Sequence, residues 1–144
     1  MGARESLLTA TQDLLWQHGY GGTSPRDIQK RSGVGQGSFY HHFDGKLDLA
    51  GQALRASSEE MVDAFGDAIE SGDDDPLARR ERYLDLERDA LKGCRMGRHA
   101  LEGAIEEPAI REPVAAYFTR IQGGLCALLE RLGSTGRLRP GVDV

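Results

Sequence analysis

The run Thr23–Lys46, TSPRDIQKRSGVGQGSFYHHFDGK, constrains the fold more than any other part of the 144-residue chain. It reads as two short helices broken by a glycine turn, then an aromatic run and a lysine that opens a third helix. Ser24 suits the N-cap, Pro25 the first helical position, and Asp27 completes a Ser-x-x-Asp capping box. Ile28 faces inward. Gly33 supplies the left-handed residue that ends the first helix, and Val34 packs into the corner. The second helix is expected over about Gln36 to His42. Phe39 and Phe43 are four apart, share a face and anchor it in the core. Asp44 is expected to cap the next helix.

Gln36, Ser38, Tyr40 and His41 then point away from the core. A short helix with a polar, aromatic and hydroxyl-bearing face suits base edges and phosphates, and two such helices around a glycine turn make a helix-turn-helix. Lys46 lies in the first turn of the following helix, where amide groups and the positive dipole end already favour phosphate.

The segment Gly33-Val34-Gly35-Gln36-Gly37-Ser38-Phe39-Tyr40-His41-His42-Phe43-Asp44-Gly45-Lys46 resembles the recognition-helix signature of the TetR family of bacterial transcriptional regulators. The preceding helix fits too: Leu7, Ala10 and Leu14 share a face with Leu8 and Leu15 beside them, and Gly19-Tyr20-Gly21-Gly22-Thr23 is similar to the family's turn before the motif. The resemblance spans about Arg4 to Leu49. Three positions depart from it: Gln29 replaces a small alanine, Gly35 a capping serine or threonine, and Gly45 a serine or asparagine.

The resemblance implies that Gln36 and Gly37 approach base edges and that Ser38, Tyr40 and His41 contact phosphates or bases. Thr23, Ser24 and Arg26 would hold the DNA backbone, and Lys46 would clamp another phosphate. Phe39, Phe43 and His42 suit the core instead.

The net charge of −5 argues against a generic nucleic-acid binder. Residues 1–50 are balanced, with five basic side chains (Arg4, Arg26, Lys30, Arg31, Lys46) against five acidic ones (Glu5, Asp13, Asp27, Asp44, Asp48), so the deficit lies in residues 51–144. A neutral head binds DNA only if its basic groups line one face. No apolar run is long enough for a membrane span, and the N-terminus lacks a signal-peptide core. Met1-Gly2-Ala3-Arg4-Glu5-Ser6 matches the loose myristoylation pattern, but an ordinary helix follows it. Cys94 and Cys126 form neither a metal motif nor a disulfide framework, which suits the reducing cytoplasm.

Strand-like alternation is absent and the expected class is all-α. A head over 1–46 joins a helical effector-binding and dimerisation body over 47–144. Leu47, Ala50, Leu54, Met61, Phe65 and Ala68 form one stripe of a long helix from Gly45 to about Glu70. Ser71-Gly72-Asp73-Asp74-Asp75 breaks it. The aspartates lack EF-hand spacing and read as a solvated loop, the last capping a helix at Pro76. Leu77, Leu84 and Leu91 recur every seven residues, with Tyr83 and Ala90 beside them, and Gly93 is a natural stop. Gly93–Gly97 is a hinge before a weaker helix from about Arg98 to Glu106. Glu112 and Pro113 suggest a fresh start, after which Val114, Phe118, Ile121, Leu125, Leu128 and Leu132 follow coiled-coil spacing. Gly123 and Gly124 would let another helix come close.

This half suits the family's ligand and dimer module, and Gly93-Cys94 with Glu102 loosely resembles one of its C-terminal subgroups. The resemblance implies two final helices packing against their symmetry mates, whereas the sequence stops at Val144 soon after the first. The expectation is a truncated product or an unusual dimer. Met61, Phe65, Tyr83, Cys94, Met96, His99, Tyr117 and Phe118 are the candidate ligand contacts, although each also suits a core. For Cys94 the alternatives are a redox or metal sensor beside Arg95 and His99, or a buried small apolar residue. Phe118, Ile121, Leu125 and Leu128 are the candidate dimer interface.

The expected function is a repressor that binds a palindromic operator in double-stranded DNA as a homodimer and is released by a small molecule. No cofactor or metal is expected. An enzyme finds no support, since no catalytic triad order or phosphate loop occurs, and Gly33-x-Gly35-x-Gly37 lacks a preceding strand. The alternative is a helical interaction protein of the same fold that has lost DNA binding.

Overall fold

The computed structural model describes residues 2–70, 75–86, 92–139 and 141. They contain six α-helices, two 3-10 turns and no strand. The helices are α1 (Ala3–His18), α2 (Pro25–Ser32), α3 (Gln36–His42), α4 (Lys46–Glu70), α5 (Pro76–Leu84) and α6 (Pro108–Ser134), with 3-10 turns at His99–Leu101 and Gly103–Glu106.

Local chemistry sets most of these bounds. The capping box forms at the start of α2: the Ser24 hydroxyl accepts from the Asp27 N–H while the Asp27 carboxylate accepts from the Ser24 N–H. Gly33 closes the helix at φ 71°, in the left-handed region that costs glycine least. At α5, Pro76 takes the first turn and the Asp75 carboxylate accepts from the Leu77 N–H. The C-terminal carbonyls of α4, which have no helical donor, receive α5 arginines: Arg82 Nε donates to Ala68 O and Arg79 to Ile69 O.

Three expectations change. Asp48 in the first turn of α4, rather than Asp44, supplies the capping carboxylate, reaching back to accept from the Asp44 N–H at 3.0 Å. The weak helix expected over Arg98–Glu106 is two 3-10 turns. The last helix starts at Pro108, five residues before the expected restart, and Pro113 lies inside it. Pro113 has no N–H for the Ala109 carbonyl. That carbonyl faces Gly51 of α4, where a methyl group would come within 2.8 Å of it. The expectations for Ser71–Asp74, Ala90 and Leu91 lie outside the described residues.

Three apolar clusters run along the molecule. The head closes over Leu7, Leu14, Ile28, Phe39, Phe43 and Leu49. A middle cluster joins Leu15, Ala50, Ala53, Leu54, Met96, Ile110 and Val114. The far one holds Phe65, Ala68, Ile69 and Leu128. Leu14 of α1 serves the head and Leu15 the middle cluster, so α1 is packed from both sides. Polar bonds stitch α1 to α4 as well: Gln12 Nε2 donates to Ser57 Oγ and Glu60 Oε1, both at 3.1 Å.

Candidate DNA-binding interface

Two phenylalanines hold α3. Phe39 and Phe43 are buried in the head core, their ring centroids 6.4 Å apart. With that face inward, Gln36, Gly37, Tyr40 and His41 are exposed and Ser38 is half-buried. Tyr40 is 55% exposed, with its ring edge-on to Phe39 at 5.0 Å, which leaves the phenol in solvent while steadying its base. Arg26 is exposed on the first turn of α2. On α3, Gln36 and Tyr40 are four apart, as are Gly37 and His41, so the exposed α3 positions share one side of the helix, which offers hydrogen-bond donors and acceptors.

Thr23 and Ser24 are placed differently. Thr23 is buried and its hydroxyl donates to the Gly19 carbonyl at 2.7 Å, closing the turn after α1. The Ser24 hydroxyl is occupied by Asp27, whose carboxyl is held below its ordinary range first by that hydroxyl and then by the Ser24 N–H. Both therefore build the turn that presents the face.

Lys46 is half-buried, with Nζ 3.9 Å from the centroid of the Tyr20 ring. Loss of water pulls its pKa down, and the Glu102 charge opposes that shift. The Tyr20 phenol is pushed up by burial and then by Glu107. A lysine parked on an aromatic face keeps its charge close to the start of α4.

Glu102 lies in the turns of the body, yet one carboxylate oxygen accepts from the Tyr20 N–H at 2.8 Å. Its other oxygen is 3.6 Å from His99 Nδ1 and 3.8 Å from Arg98 Nε. Nearby, Trp16 Nε1 donates to the Gly93 carbonyl at 3.0 Å, and Lys92 and Arg95 each approach the indole face at 4.5 Å. Sequence reasoning left Tyr20 and Glu102 without site roles, since 82 positions separate them and no spacing rule joins them.

The candidate ligand contacts do not gather around one chamber. Met61, Met96 and Tyr117 belong to the middle cluster, while Phe65 and Tyr83 meet edge-to-face at 5.1 Å in the far one. His99 is 1% exposed and neither ring nitrogen has a hydrogen-bond partner. Cys94 is exposed, which corrects the buried reading, and its Sγ accepts from the Gly97 N–H at 3.3 Å. Phe118 is 43% exposed. An open groove of about 590 Å³ between α4 and α6 includes only Phe65 of the set, beside Asp63, Asp67 and Arg120. Among the described residues no three His, Cys, Asp or Glu side chains gather as a metal site.

Of the candidate dimer residues, Leu128 is buried with Phe65, Ala68 and Ile69, and Ile121 and Leu125 pack against that cluster. Gly124 is a second point of close approach between α6 and α4: a methyl group there would collide with the Phe65 ring.

Residues 7–53 match the model of bacterial regulatory proteins of the tetR family. An uncharacterized HTH-type transcriptional regulator in the lacX 3' region of Lactococcus lactis subsp. lactis is 28% identical over 135 residues, 90% of this chain and 69% of that one. The HTH-type transcriptional repressor DhaR of Mycobacterium sp. (strain GP1) is 27% identical over 117 residues, 80% of this chain but only 59% of its own length. The crystal structure of regulatory protein TetR from Rhodobacter sphaeroides shares the fold, with a TM-score of 0.86 at 24% identity over 98% of this chain and 78% of that one.

Proposed function

By its head, residues 7–53, the chain belongs to the tetR family of bacterial regulatory proteins, and on that premise we propose a ligand-responsive transcriptional repressor that grips a palindromic operator as a homodimer. The observation that carries this reading is the outward face of α3. Gln36, Gly37, Tyr40 and His41 stand in solvent on a helix whose opposite face is locked by Phe39 and Phe43. A rigid helix with exposed amide, phenol and imidazole groups has the size and chemistry for a major groove. In this reading the head over 1–46 reads DNA and the body over 47–144 senses a small molecule and pairs the heads. Two heads set about one helical turn apart would meet a palindrome. The effector releases DNA by preferring the spacing that does not fit, because equal affinity for both spacings would shift nothing. The repressor named among the relatives favours repression over activation. No described helix is long and apolar enough to cross a membrane; the cytoplasmic location in this reading follows from the proposed operator binding.

The test is a selection of binding sites from a random duplex library, followed by a gel shift of the selected duplex and of the promoter region of the protein's own gene. A two-fold-symmetric site is expected. Failure to enrich any sequence would leave an interaction protein of this fold as the better reading.

A further inference from the structure

We propose that Glu102 is a positioning residue for DNA binding: carried by the body, its carboxylate holds the turn from which the helix-turn-helix starts. The inference rests on reading the head as a DNA reader and adds the residue through which the body sets its position.

The turn begins where α1 runs out. Gly19 N–H closes the helix on Leu15 O, and Gly19 at φ 73° then turns the chain away from the helix axis, which directs the Tyr20 N–H away from the free C-terminal carbonyls. Glu102 Oε2 takes that proton at 2.8 Å. Its second oxygen nests against the Gly19 Cα, and a methyl group at position 19 would collide with it. Gly19 also has φ 73°, so position 19 favours glycine on two grounds. From Gly19 the constraint passes outward in short steps. The Thr23 hydroxyl bonds the Gly19 carbonyl at 2.7 Å, and Ser24, the next residue, caps α2. The Tyr20 ring carries Lys46 on its face. One body carboxylate thus touches the shared base of α2 and of the phosphate-directed lysine.

The carboxylate has an ion-pair neighbour on its own segment. Arg98 and His99 flank it at 3.8 and 3.6 Å. The segment that presents it is clasped to α1 through Trp16 and the Gly93 carbonyl. Meanwhile α1 stays docked by Leu14, Leu15 and the Gln12 bonds, none of which involves Glu102. Losing the Glu102 bond therefore frees the turn without undocking the helix.

The experiment uses the duplex that wild type selects from the random library, a shuffled duplex of the same composition, and three variants. Glu102→Gln keeps an acceptor oxygen in place and loses the charge. Glu102→Asp keeps the charge and draws it back. Glu102→Ala removes both. Glu102→Gln is expected to bind the selected duplex within about twofold of wild type. Glu102→Ala and Glu102→Asp are expected to lose about tenfold on that duplex while changing by no more than about twofold on the shuffled one, because Lys46 and the other cations are kept and the loss falls on the fit. Amide hydrogen exchange at Tyr20 is expected to speed up in Glu102→Ala and Glu102→Asp alone. Wild-type affinity in Glu102→Ala overturns the inference. So does an equal loss in Glu102→Gln, which would assign the effect to charge, or a parallel loss on both duplexes. Should Glu102→Ala not fold, Glu102→Asp decides by the same criteria. A wild type that enriches no duplex overturns the DNA-reading premise, and this inference with it.

Discussion

Single side chains in the head divide into those that face solvent and those that hold the turn. Gln36 is exposed at the start of α3, where in the proposed reading its side-chain amide would pair with an adenine edge, worth about 1–3 kcal/mol of discrimination. Gln36→Ala is expected to relax one position of each half-site, and an unchanged site-selection logo would refute this. In the proposed DNA-binding reading Lys46 would contribute charge rather than sequence information. Lys46→Ala is expected to weaken all duplexes alike and to lower the salt slope by about one unit, as read from affinity against salt concentration. His99 gives a pH dependence. Its pKa is lowered first by burial, with Glu102 opposing. The unfolded chain, with histidine near its ordinary value of 6.5, then binds a proton that the folded chain refuses. His99 thus favours the fold fully above that pH and progressively less as pH falls below it. Melting temperatures at about pH 7.5 and about pH 5.5 are expected to differ less in His99→Leu than in wild type. Equal differences would assign the acid sensitivity to other groups.

Among the elements, α4 and α6 show how close packing depends on a missing side chain. Gly124 lets α6 approach the Phe65 ring, which sits in the far cluster with little room to move. Gly124→Ala gains up to about 1 kcal/mol of helix propensity. Overpacking against a buried ring costs about 1–3 kcal/mol, and that cost wins. Gly123, one residue earlier, is exposed and has nothing within 4 Å of an added methyl group. Gly123→Ala therefore keeps the gain alone. Thermal melting is expected to fall for the first and rise for the second; the same sign for both would show that α6 does not sit on α4 in this way. The paired glycines were legible as a point of close approach, but spacing along one helix carries no information about which neighbour arrives. The same limit applies to the apolar run from Val114 to Leu132. Its 4-3 spacing marks a stripe, and much of that stripe is packed against α4 in the same chain.

For the whole molecule, pairing would have to use what α6 leaves outside. Phe118 and Leu129 are 43% and 37% exposed and eleven residues apart, which puts them on one face of the helix. Exposed apolar groups aligned along a helix suit a two-fold contact with a second copy. The double change Phe118→Glu with Leu129→Glu is expected to shift sedimentation toward monomer and to abolish binding to a palindromic duplex while leaving the helical content intact. Unchanged sedimentation would move the interface elsewhere. Read alone, the sequence determined the helical class, the bounds of α2 and α3, the capping box, the Gly33 stop and the outward set on α3. All of these rest on contacts within a few residues, where propensity, capping and periodicity act directly. The tertiary structure alone decided that Thr23 is buried, that Lys46 rests on Tyr20, that α6 begins at Pro108 and that Glu102 reaches across 82 positions to the end of α1. Those outcomes depend on which distant surfaces meet as the three clusters close, and a linear spacing holds no record of that meeting.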